Sequence, residues 1–334
     1  MKILIGIGTR PEWIKIKPLL SVFKAHDIIY KCLFTGQHKD LLKEHKFDYT
    51  LSIPETDINR LNVVAASILN HNIKQSDWDY VLVQGDTISA YALALAAFNN
   101  NIQIIHLEAG LRSYDLNHPY PEEAYRQMIS RIATINLCPT ELSCDHLKAE
   151  KVKGDIYNVG NTVLDNIQNT KTSYTNLILV TLHRRENHII LHEWLSIINT
   201  LAKEHPELRF VFIKHFNPNV IKRLNILTNV EIIDPLSHDK LIDLLAQAKF
   251  VITDSGGLQE EGSFLNKRVI VCRETTERPE GIDTNHLVMC PGFRSLPTIF
   301  ESVNNNYKIN EECPYGDGRS SQKIVNVLLS YEGI

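Results

Sequence analysis

The chain has 334 residues, with 35 lysines and arginines against 39 aspartates and glutamates, for a formal net charge of −4. Its 43% hydrophobic content is enough to bury sizeable cores, which excludes a disordered chain, and its length fits two domains. The small negative charge excludes binding to nucleic acid or acidic lipid through bulk charge, but leaves room for a local basic pocket.

Short apolar runs alternate with amphipathic stretches along most of the sequence. The predicted strands are, in chain order, Ile3–Ile7, Tyr80–Gln84, Gln103–Leu107, Ile135–Cys138, Leu177–Thr181, Arg209–Lys214, Val230–Asp234, Phe250–Thr253 and Arg268–Cys272. The predicted helices are Pro11–His26, Asn62–Leu69, Ile88–Phe98, Glu122–Ile132, Leu191–Lys203, Lys240–Ala248 and Leu258–Phe264. Several strands are apolar throughout, which is typical of parallel strands covered on both faces. The alternation predicts βαβ units and a doubly wound α/β fold.

The cysteines and the N-terminal sequence indicate in which cellular compartment the protein is expected. The six cysteines are irregularly spaced, without a Cys-x-x-Cys pair or zinc-module histidines, which favours free buried thiols in a reducing compartment. The apolar run Ile3–Ile7 is too short for a signal peptide or a membrane span. We therefore expect a cytoplasmic protein without a membrane or nucleic-acid partner.

A domain boundary is expected near Asn166–Asn176, where a polar stretch interrupts the apolar rhythm before a new strand. Two α/β domains of similar size would then face each other across a cleft. Because ligands of such sheets bind beyond the carboxyl ends of strands, the turns that follow the strands are the informative places.

The first such turn, from Gly6 to Glu12, begins like a dinucleotide fingerprint but has Pro11 where the third glycine should be. Pro11 suits the first turn of a helix, and a helix N-terminus flanked by Arg10 and Lys15 suits an anion. The alternative is a plain strand–helix turn with surface charges.

Three carboxylates follow in the first half of the chain. Asp86 follows a buried strand, where it either acts at a site or caps the next helix. Glu108 leaves another buried strand and precedes a glycine turn, which is unusual for a purely structural carboxylate. Glu122 opens a helix after proline, a position that the helix dipole alone would also favour.

Cationic and glycine-rich turns characterise the second half. His183, Arg184 and Arg185 end a strand, and arginine forks match phosphate oxygens. The segment Ser255-Gly256-Gly257 opens a helix and can cradle phosphate oxygens, while Glu261 can accept ribose hydroxyls. The alternative for Ser255 is a plain helix N-cap.

Taken together, these segments resemble the non-hydrolysing UDP-N-acetylglucosamine 2-epimerase family over nearly the whole chain. The segments that carry the resemblance are Gly8–Glu12 with Lys15, Gly85–Thr87, Glu108–Arg112, Pro121–Ala124, Gly160–Val163, His183–Glu186, Asn217–Val220, Ser255–Glu261, Thr275–Glu280 and Pro314–Gly318. The resemblance implies two Rossmann-like doubly wound domains facing across a cleft, as in glycosyltransferase-B enzymes. We expect these domains at 1–168 and 172–317, with a C-terminal helix in 318–334 that packs back on the first.

The resemblance also implies a reaction. The family inverts C2 of the sugar by eliminating UDP to 2-acetamidoglucal and adding it back, with no metal and no other cofactor. The residues that match the catalytic positions are Lys15, Asp86, Glu108, Glu122 and His183. Those expected to bind UDP are Arg10, Arg184, His215, Ser255, Gly256, Gly257, Glu261 and Arg278. The expected partners are a UDP-sugar and a second copy of the chain in a homodimer.

Several departures from the family pattern keep the substrate open. Asn187–Ile190 replaces the usual Phe-Gly stretch, and Leu236–Leu241 lacks the aromatic residue expected near uracil. Lys39, Asp40 and Ser67 differ from the pattern expected for allosteric activation by UDP-N-acetylglucosamine. The alternatives are a C2-epimerase of another UDP-N-acetylhexosamine, such as a UDP-6-deoxy-L-hexosamine, a glycosyltransferase of the same fold, or a non-catalytic UDP-sugar-binding protein.

Overall fold

The computed structural model describes residues 1–38, 44–54, 59–184, 187–215 and 218–331. The chain folds into two units, the N-terminal unit holding residues 1–166 with 316–334 and the C-terminal unit holding residues 167–315. The predicted domains, 1–168 and 172–317, end close to these divisions. Within the described ranges, none of the helices has the length and the apolar run that crossing a membrane requires.

The N-terminal unit alternates strands with helices. Its strands are β1 (Lys2–Ile7), β2 (Ile29–Phe34), β3 (Tyr49–Thr50), β4 (Tyr80–Gln84), β5 (Gln103–Leu107), β6 (Ile135–Cys138) and β7 (Asp155–Asn158). Its helices are α1 (Arg10–Ala25), α2 (Arg60–Leu69), α3 (Ile88–Asn99), α4 (Glu122–Ile132), α5 (Glu141–Ala149) and, from the end of the chain, α12 (Ser320–Ser330). Every strand pairing in this sheet is parallel, in the order β3-β2-β1-β4-β5-β6-β7.

The strand order reverses between β1 and β4, where Ile3 lies beside Tyr80. Ligands of open parallel sheets bind at such a switch point, outside the carboxyl ends of the strands. The turns that follow β1, β4 and β5 therefore form the candidate site of this unit.

Both faces of this sheet are covered, which explains why its strands are apolar throughout. Ile5 in β1 packs on one face with Phe23 of α1 and Leu328 of α12, while Leu4 packs on the other with Val64 of α2. The amides of Ser320 and Ser321 donate to the carboxylate of Asp165, at 2.9 and 2.6 Å, which fixes the start of α12.

The C-terminal unit repeats the plan. Its strands are β8 (Leu177–Thr181), β9 (Arg209–Ile213), β10 (Glu231–Ile233), β11 (Phe250–Thr253), β12 (Val269–Val271) and β13 (Leu287–Met289). Its helices are α6 (Leu191–Glu204), α7 (Pro218–Ile221), α8 (His238–Gln247), α9 (Gly256–Phe264), α10 (Glu280–Asp283) and α11 (Leu296–Asn305). The parallel order β10-β9-β8-β11-β12-β13 reverses between β8 and β11.

The predicted doubly wound α/β class is confirmed, with corrections to the elements. The sequence prediction missed β2, whose apolar run is interrupted by the exposed Lys31, and it missed the short edge strands β3, β7 and β13. It also missed α5 and α11. Strand β9 ends at Ile213, β10 is Glu231–Ile233 and β12 is Val269–Val271, each shorter than predicted. Helix α9 begins two residues early, at Gly256, because glycines weaken a helical pattern in the sequence.

Candidate active site

The turn after β1 leads tightly into α1. Thr9 is the N-cap, and its side chain accepts from the Glu12 amide while the Glu12 carboxylate accepts from the Thr9 amide, which completes a capping box. A Cβ at Gly8 would lie 2.1 Å from Ser89 Oγ, so only glycine fits against α3 here. The helix N-terminus predicted at this turn is therefore present and rigidly built.

Lys15, one turn into α1, binds Glu108. Its Nζ lies 2.6 Å from both carboxylate oxygens, and both side chains are largely buried. The Gln84 amide, at the end of β4, also donates to Glu108. Ion pairs with this degree of burial need such additional donors to offset desolvation. Side chains from α1 and from the end of β4 thus meet at the carboxylate of Glu108, which follows β5.

Glu108 adopts φ +65°, in the left-handed region that residues other than glycine seldom enter. A conformation of this kind costs on the order of 1–3 kcal/mol and occurs most often at functional sites. Its neighbours Gly85 and Gly110 also have positive φ, at 68° and 87°. The backbone is therefore shaped to present the Glu108 carboxylate, a feature that the sequence did not reveal.

Asp86 does not cap α3, so the capping alternative is wrong. The N-cap is Thr87, whose Oγ1 accepts from the Ala90 amide at 3.1 Å. The Asp86 carboxylate instead accepts two hydrogen bonds from the buried guanidinium of Arg126, with Nε at 2.9 Å. Arg126 also pairs with Glu123 at 3.2 Å. Asp86 is therefore a half-buried carboxylate held by Arg126, in the turn that follows Gln84.

Glu122 and Arg10 each stand at the start of a helix in this unit. Glu122 is half-buried in the first turn of α4, one turn before Arg126. The guanidinium of Arg10 pairs with Glu44 at 2.8 Å and is 45% exposed. The structure thus joins Lys15 to Glu108, pairs Asp86 with Arg126 in the turn after the neighbouring strand β4, and pairs Arg10 with Glu44.

In the C-terminal unit, the turn after β8 is fastened to β11 by Asp254. This fully buried carboxylate accepts from the amides of His183 and Arg184, at 3.0 and 2.9 Å, and from the Asn187 side chain at 2.9 Å. The ring of His183 stacks on His215 at 4.7 Å. Burial lowers the pKa of both imidazoles. Arg185 lies outside the described residues.

Two guanidinium groups converge at the N-terminus of α9. A Cβ at Gly256 would lie 2.9 Å from Arg278 Nη1 and 3.3 Å from Arg184 Nη2. Arg278 is itself held by Glu260 at 2.7 Å and by Glu277. A helix N-terminus with two arginines is suited to a diphosphate.

Ser255 leaves that helix end open. Ser255 occupies the N-cap position of α9, as in the N-cap alternative, but its side chain makes no capping hydrogen bond. A Cβ at Gly257 would meet nothing within 4 Å. Further along α9, the Glu261 carboxylate lies 2.6 Å from Nε2 of His238. His238 belongs to the segment 236–241, so a heteroaromatic ring does stand in the stretch expected to lack an aromatic residue.

Sequence reasoning missed the residues that hold these side chains in place. Arg126 and Gln84 hold Asp86 and Glu108, whereas Asp254 holds the His183 turn. Asp254 had a usable signal, because an aspartate directly follows the apolar strand β11, as Asp86 follows β4 with one glycine between. Among the described residues, no three His, Cys, Asp or Glu side chains are grouped as a metal ion would require.

The comparisons with known proteins identify the family of the chain. The sequence model of the UDP-N-acetylglucosamine 2-epimerase family matches residues 22–329. A Campylobacter jejuni UDP-N-acetylglucosamine 2-epimerase is 36% identical over 98% of this chain and 97% of its own length. The crystal structure of the Neisseria meningitidis UDP-GlcNAc 2-epimerase bound to UDP-GlcNAc superposes with a TM-score of 0.90, at 33% identity, covering 99% of this chain and 100% of that one.

A more distant likeness concerns the fold alone. MurG of Acinetobacter baumannii matches 98% of this chain and 99% of its own at 11% identity, with a TM-score of 0.59. This likeness supports a fold of the glycosyltransferase-B-like class, with two Rossmann-like units. The family match over most of the chain and the 36% identity to a full-length relative show that the chain belongs to the UDP-N-acetylglucosamine 2-epimerase family.

Proposed function

We propose that the protein is a non-hydrolysing UDP-N-acetylglucosamine 2-epimerase, which interconverts UDP-N-acetylglucosamine and UDP-N-acetylmannosamine. The observation that carries the proposal is the buried Lys15–Glu108 pair with Gln84 and Asp86 at the switch point of the N-terminal sheet. A unit that carries two carboxylates and an ammonium group at the ends of neighbouring strands has the groups needed to move a proton at a carbon beside a leaving group.

The proposed chemistry is an elimination followed by an addition. Removal of the C2 proton and departure of UDP from C1 leave 2-acetamidoglucal with a C1–C2 double bond. Addition of UDP back to C1, with proton delivery to the other face of C2, gives the epimer. Asp86, Glu108 and Glu122 are the proposed proton carriers, and Lys15 and His183 are proposed to stabilise charge that develops on the leaving phosphate.

The C-terminal unit is proposed to bind the UDP moiety. Arg184 and Arg278 converge at Gly256 on the N-terminus of α9, which supports diphosphate binding there. Ser255 and Gly257 leave their side of the helix end open for phosphate oxygens. Glu261 is proposed to accept ribose hydroxyls, and His215, stacked on His183, is proposed to contact UDP as well. Arg10 of the N-terminal unit is likewise proposed as a UDP-binding residue.

The experiment is an NMR time course with the native protein and UDP-N-acetylglucosamine. We expect UDP-N-acetylmannosamine to appear while free UDP and free N-acetylmannosamine do not accumulate. Release of both in equal amounts would identify a hydrolysing enzyme instead. A parallel reaction with UDP-6-deoxy-N-acetylhexosamines tests the second substrate class, for which the altered Asn187–Ile190 stretch leaves room.

We further propose a cytoplasmic homodimer that associates through the N-terminal unit. The free cysteines support a reducing compartment. Exposed Tyr114, Leu116 and Tyr120, in one segment of the N-terminal unit, support an apolar contact surface. Light scattering after size-exclusion chromatography should give twice the mass of the chain, whereas a mass equal to one chain would contradict the dimer.

A further inference from the structure

The proposed reaction gives no role to the buried carboxylate of Glu12. Glu12, in the first turn of α1, is only 2% exposed. Its Oε2 accepts from the amides of Gly8 and Thr9, each at 2.6 Å. Its Oε1 accepts from the hydroxyl of Thr87, 75 residues further along the chain. One side chain therefore joins the turn after β1 to the turn after β4.

The two joined turns carry different parts of the candidate site. The first leads to Lys15, and the second places Asp86 directly before Thr87. The Thr87 hydroxyl also caps α3 by accepting from the Ala90 amide at 3.1 Å. Glu12 thus bonds, through one carboxylate, to the N-caps of both helices that start at the switch point.

The packing around this carboxylate leaves little freedom. Gly8 lies so close to α3 that any Cβ would meet Ser89, and Ser89 Oγ bonds to Thr35 at 2.7 Å. Two helix N-termini favour a negative charge on Glu12. Burial opposes that charge and raises the pKa of Glu12 to about 7, although its three donors act to lower it.

We propose that Glu12 is a positioning residue, which fixes the distance between the turn of Lys15 and the turn of Asp86 through its bond to Thr87. The inference rests on the proposed epimerase function. Proton transfer is sensitive to such distances, and a displacement of about 1 Å can reduce a rate by about a hundredfold. The Glu12–Thr87 bond should therefore affect kcat more than substrate binding.

The test compares Thr87→Val, Thr87→Ser, Glu12→Gln and the double variant Glu12→Gln/Thr87→Val. Valine keeps the shape of threonine but removes the hydroxyl, whereas serine keeps it. Thr140→Val is the matched control, because Thr140 caps α5 in the same unit by accepting from the Ser143 amide at 3.1 Å. The Thr140→Val variant loses an N-cap hydrogen bond but keeps the Glu12–Thr87 hydrogen bond.

We expect kcat to fall about tenfold to a hundredfold in Thr87→Val and in Glu12→Gln, with KM changed less than about threefold. Thr87→Ser and Thr140→Val should keep kcat within about threefold of the native value. The kcat of the double variant should be no lower than that of the slower single variant, because both substitutions act on the same Glu12–Thr87 hydrogen bond. Near-native kcat in Thr87→Val, an equal loss in Thr140→Val, or fully multiplicative effects would overturn the proposal.

Hydrogen exchange separates this inference from the proposed function. If the native protein did not epimerise any UDP-hexosamine, the proposed function would be rejected. The role of the Glu12–Thr87 hydrogen bond in joining the two turns could still be tested. Thr87→Val should then speed amide exchange in the peptide that covers residues 8–13, on the Glu12 side of the Glu12–Thr87 hydrogen bond. Thr140→Val should not change exchange in that peptide. Faster exchange confined to residues around 87 would overturn the coupling.

Discussion

At the scale of single residues, the candidate site consists of charged side chains held by buried partners. Glu108 is bound by Lys15 and Gln84 and sits in a strained backbone conformation, and Asp86 is bound by Arg126. Each partner reduces the freedom of a group proposed to move a proton. Such preorganisation raises the rate only if the held group acts in the reaction.

The first prediction concerns Glu108. Glu108→Gln keeps the size of the side chain but removes its negative charge, so that it can no longer accept a proton. We expect kcat for epimerisation to fall by about 10²–10⁴, the usual contribution of general acid–base catalysis. The melting temperature should fall as well, because the buried Lys15 ammonium loses its counter-charge, so kcat is measured at a temperature where both proteins are folded. Glu141→Gln, at an exposed position of α5, is the control and should be fully active. A Glu108→Gln variant with near-native kcat would show that this carboxylate does not transfer the proton.

The second prediction concerns Asp254. Its carboxylate accepts from two backbone amides and one side-chain amide, so the NH₂ group of an asparagine would face at least one donor. We expect Asp254→Asn to loosen the His183–Arg184 turn and to weaken UDP binding at least about tenfold, measured by titration calorimetry. Asp243→Asn, exposed on α8, should bind UDP like the native protein. Equal affinities in the two variants would exclude the anchoring role.

At the scale of elements, Tyr315 ties the chain after α11 to the start of α10. Its hydroxyl donates to the Arg278 carbonyl at 2.9 Å and accepts from the Gly281 amide at 3.1 Å, and the side chain is fully buried. Tyr315→Phe leaves a buried donor and a buried acceptor unsatisfied. We expect a loss of about 1–3 kcal/mol in unfolding free energy, measured with denaturant. Tyr49→Phe, at an exposed strand position, should cost far less, and equal losses would refute the explanation.

A buried lysine, Lys267, binds the segment that precedes β8. Lys267 is fully buried, donates to the Ser173 carbonyl at 2.5 Å and lies 4.0 Å from the centre of the Tyr174 ring. Burial lowers the pKa of Lys267 to about 8. The folded state therefore binds fewer protons than the unfolded state between pH 8 and the usual lysine value of about 10.5, so this residue adds stability as the pH rises through that window.

The prediction is tested with Lys267→Met. The unfolding free energy of the native protein should rise relative to that of the variant between about pH 8 and pH 10.5, and the difference should be constant below pH 8. The exposed Lys203→Met is the control and should show no such window. A flat difference across the whole range would mean that the amine titrates as it does in water.

Many of the strands and helices could be predicted from the sequence, for reasons that differ between elements. Strands such as β4 and β11 are apolar throughout and bounded by polar turns, so their predicted limits match the structure. Strand β2 was missed because Lys31 points to solvent and pairs with Asp48, a contact that no local pattern encodes. The charged residues at strand ends were found, but partners such as Arg126 and Gln84 were not, because those contacts depend on the sheet order.

At the scale of the whole molecule, the net charge of −4 does not reveal how the charged groups are placed. In the N-terminal unit, Asp86 and Glu108 follow β4 and β5, and each is paired with a cation of the same unit. In the C-terminal unit, Arg184 and Arg278 converge at the start of α9, and Arg278 is paired with Glu260. Composition excluded a bulk polyanion partner, yet only the fold shows which charged groups meet. We infer that the carboxylates of the N-terminal unit carry the proton and that the arginines of the C-terminal unit bind the diphosphate.

The most direct test of the account is the exchange of hydrogen at C2. Native protein is incubated with UDP-N-acetylglucosamine in deuterium oxide, and the nucleotide sugars are analysed by NMR and mass spectrometry. The account predicts deuterium at C2 of both UDP-N-acetylglucosamine and UDP-N-acetylmannosamine, because the carboxylates of the N-terminal unit exchange their protons with solvent. An absence of C2 deuterium with this substrate and with UDP-6-deoxy-N-acetylhexosamines would contradict it.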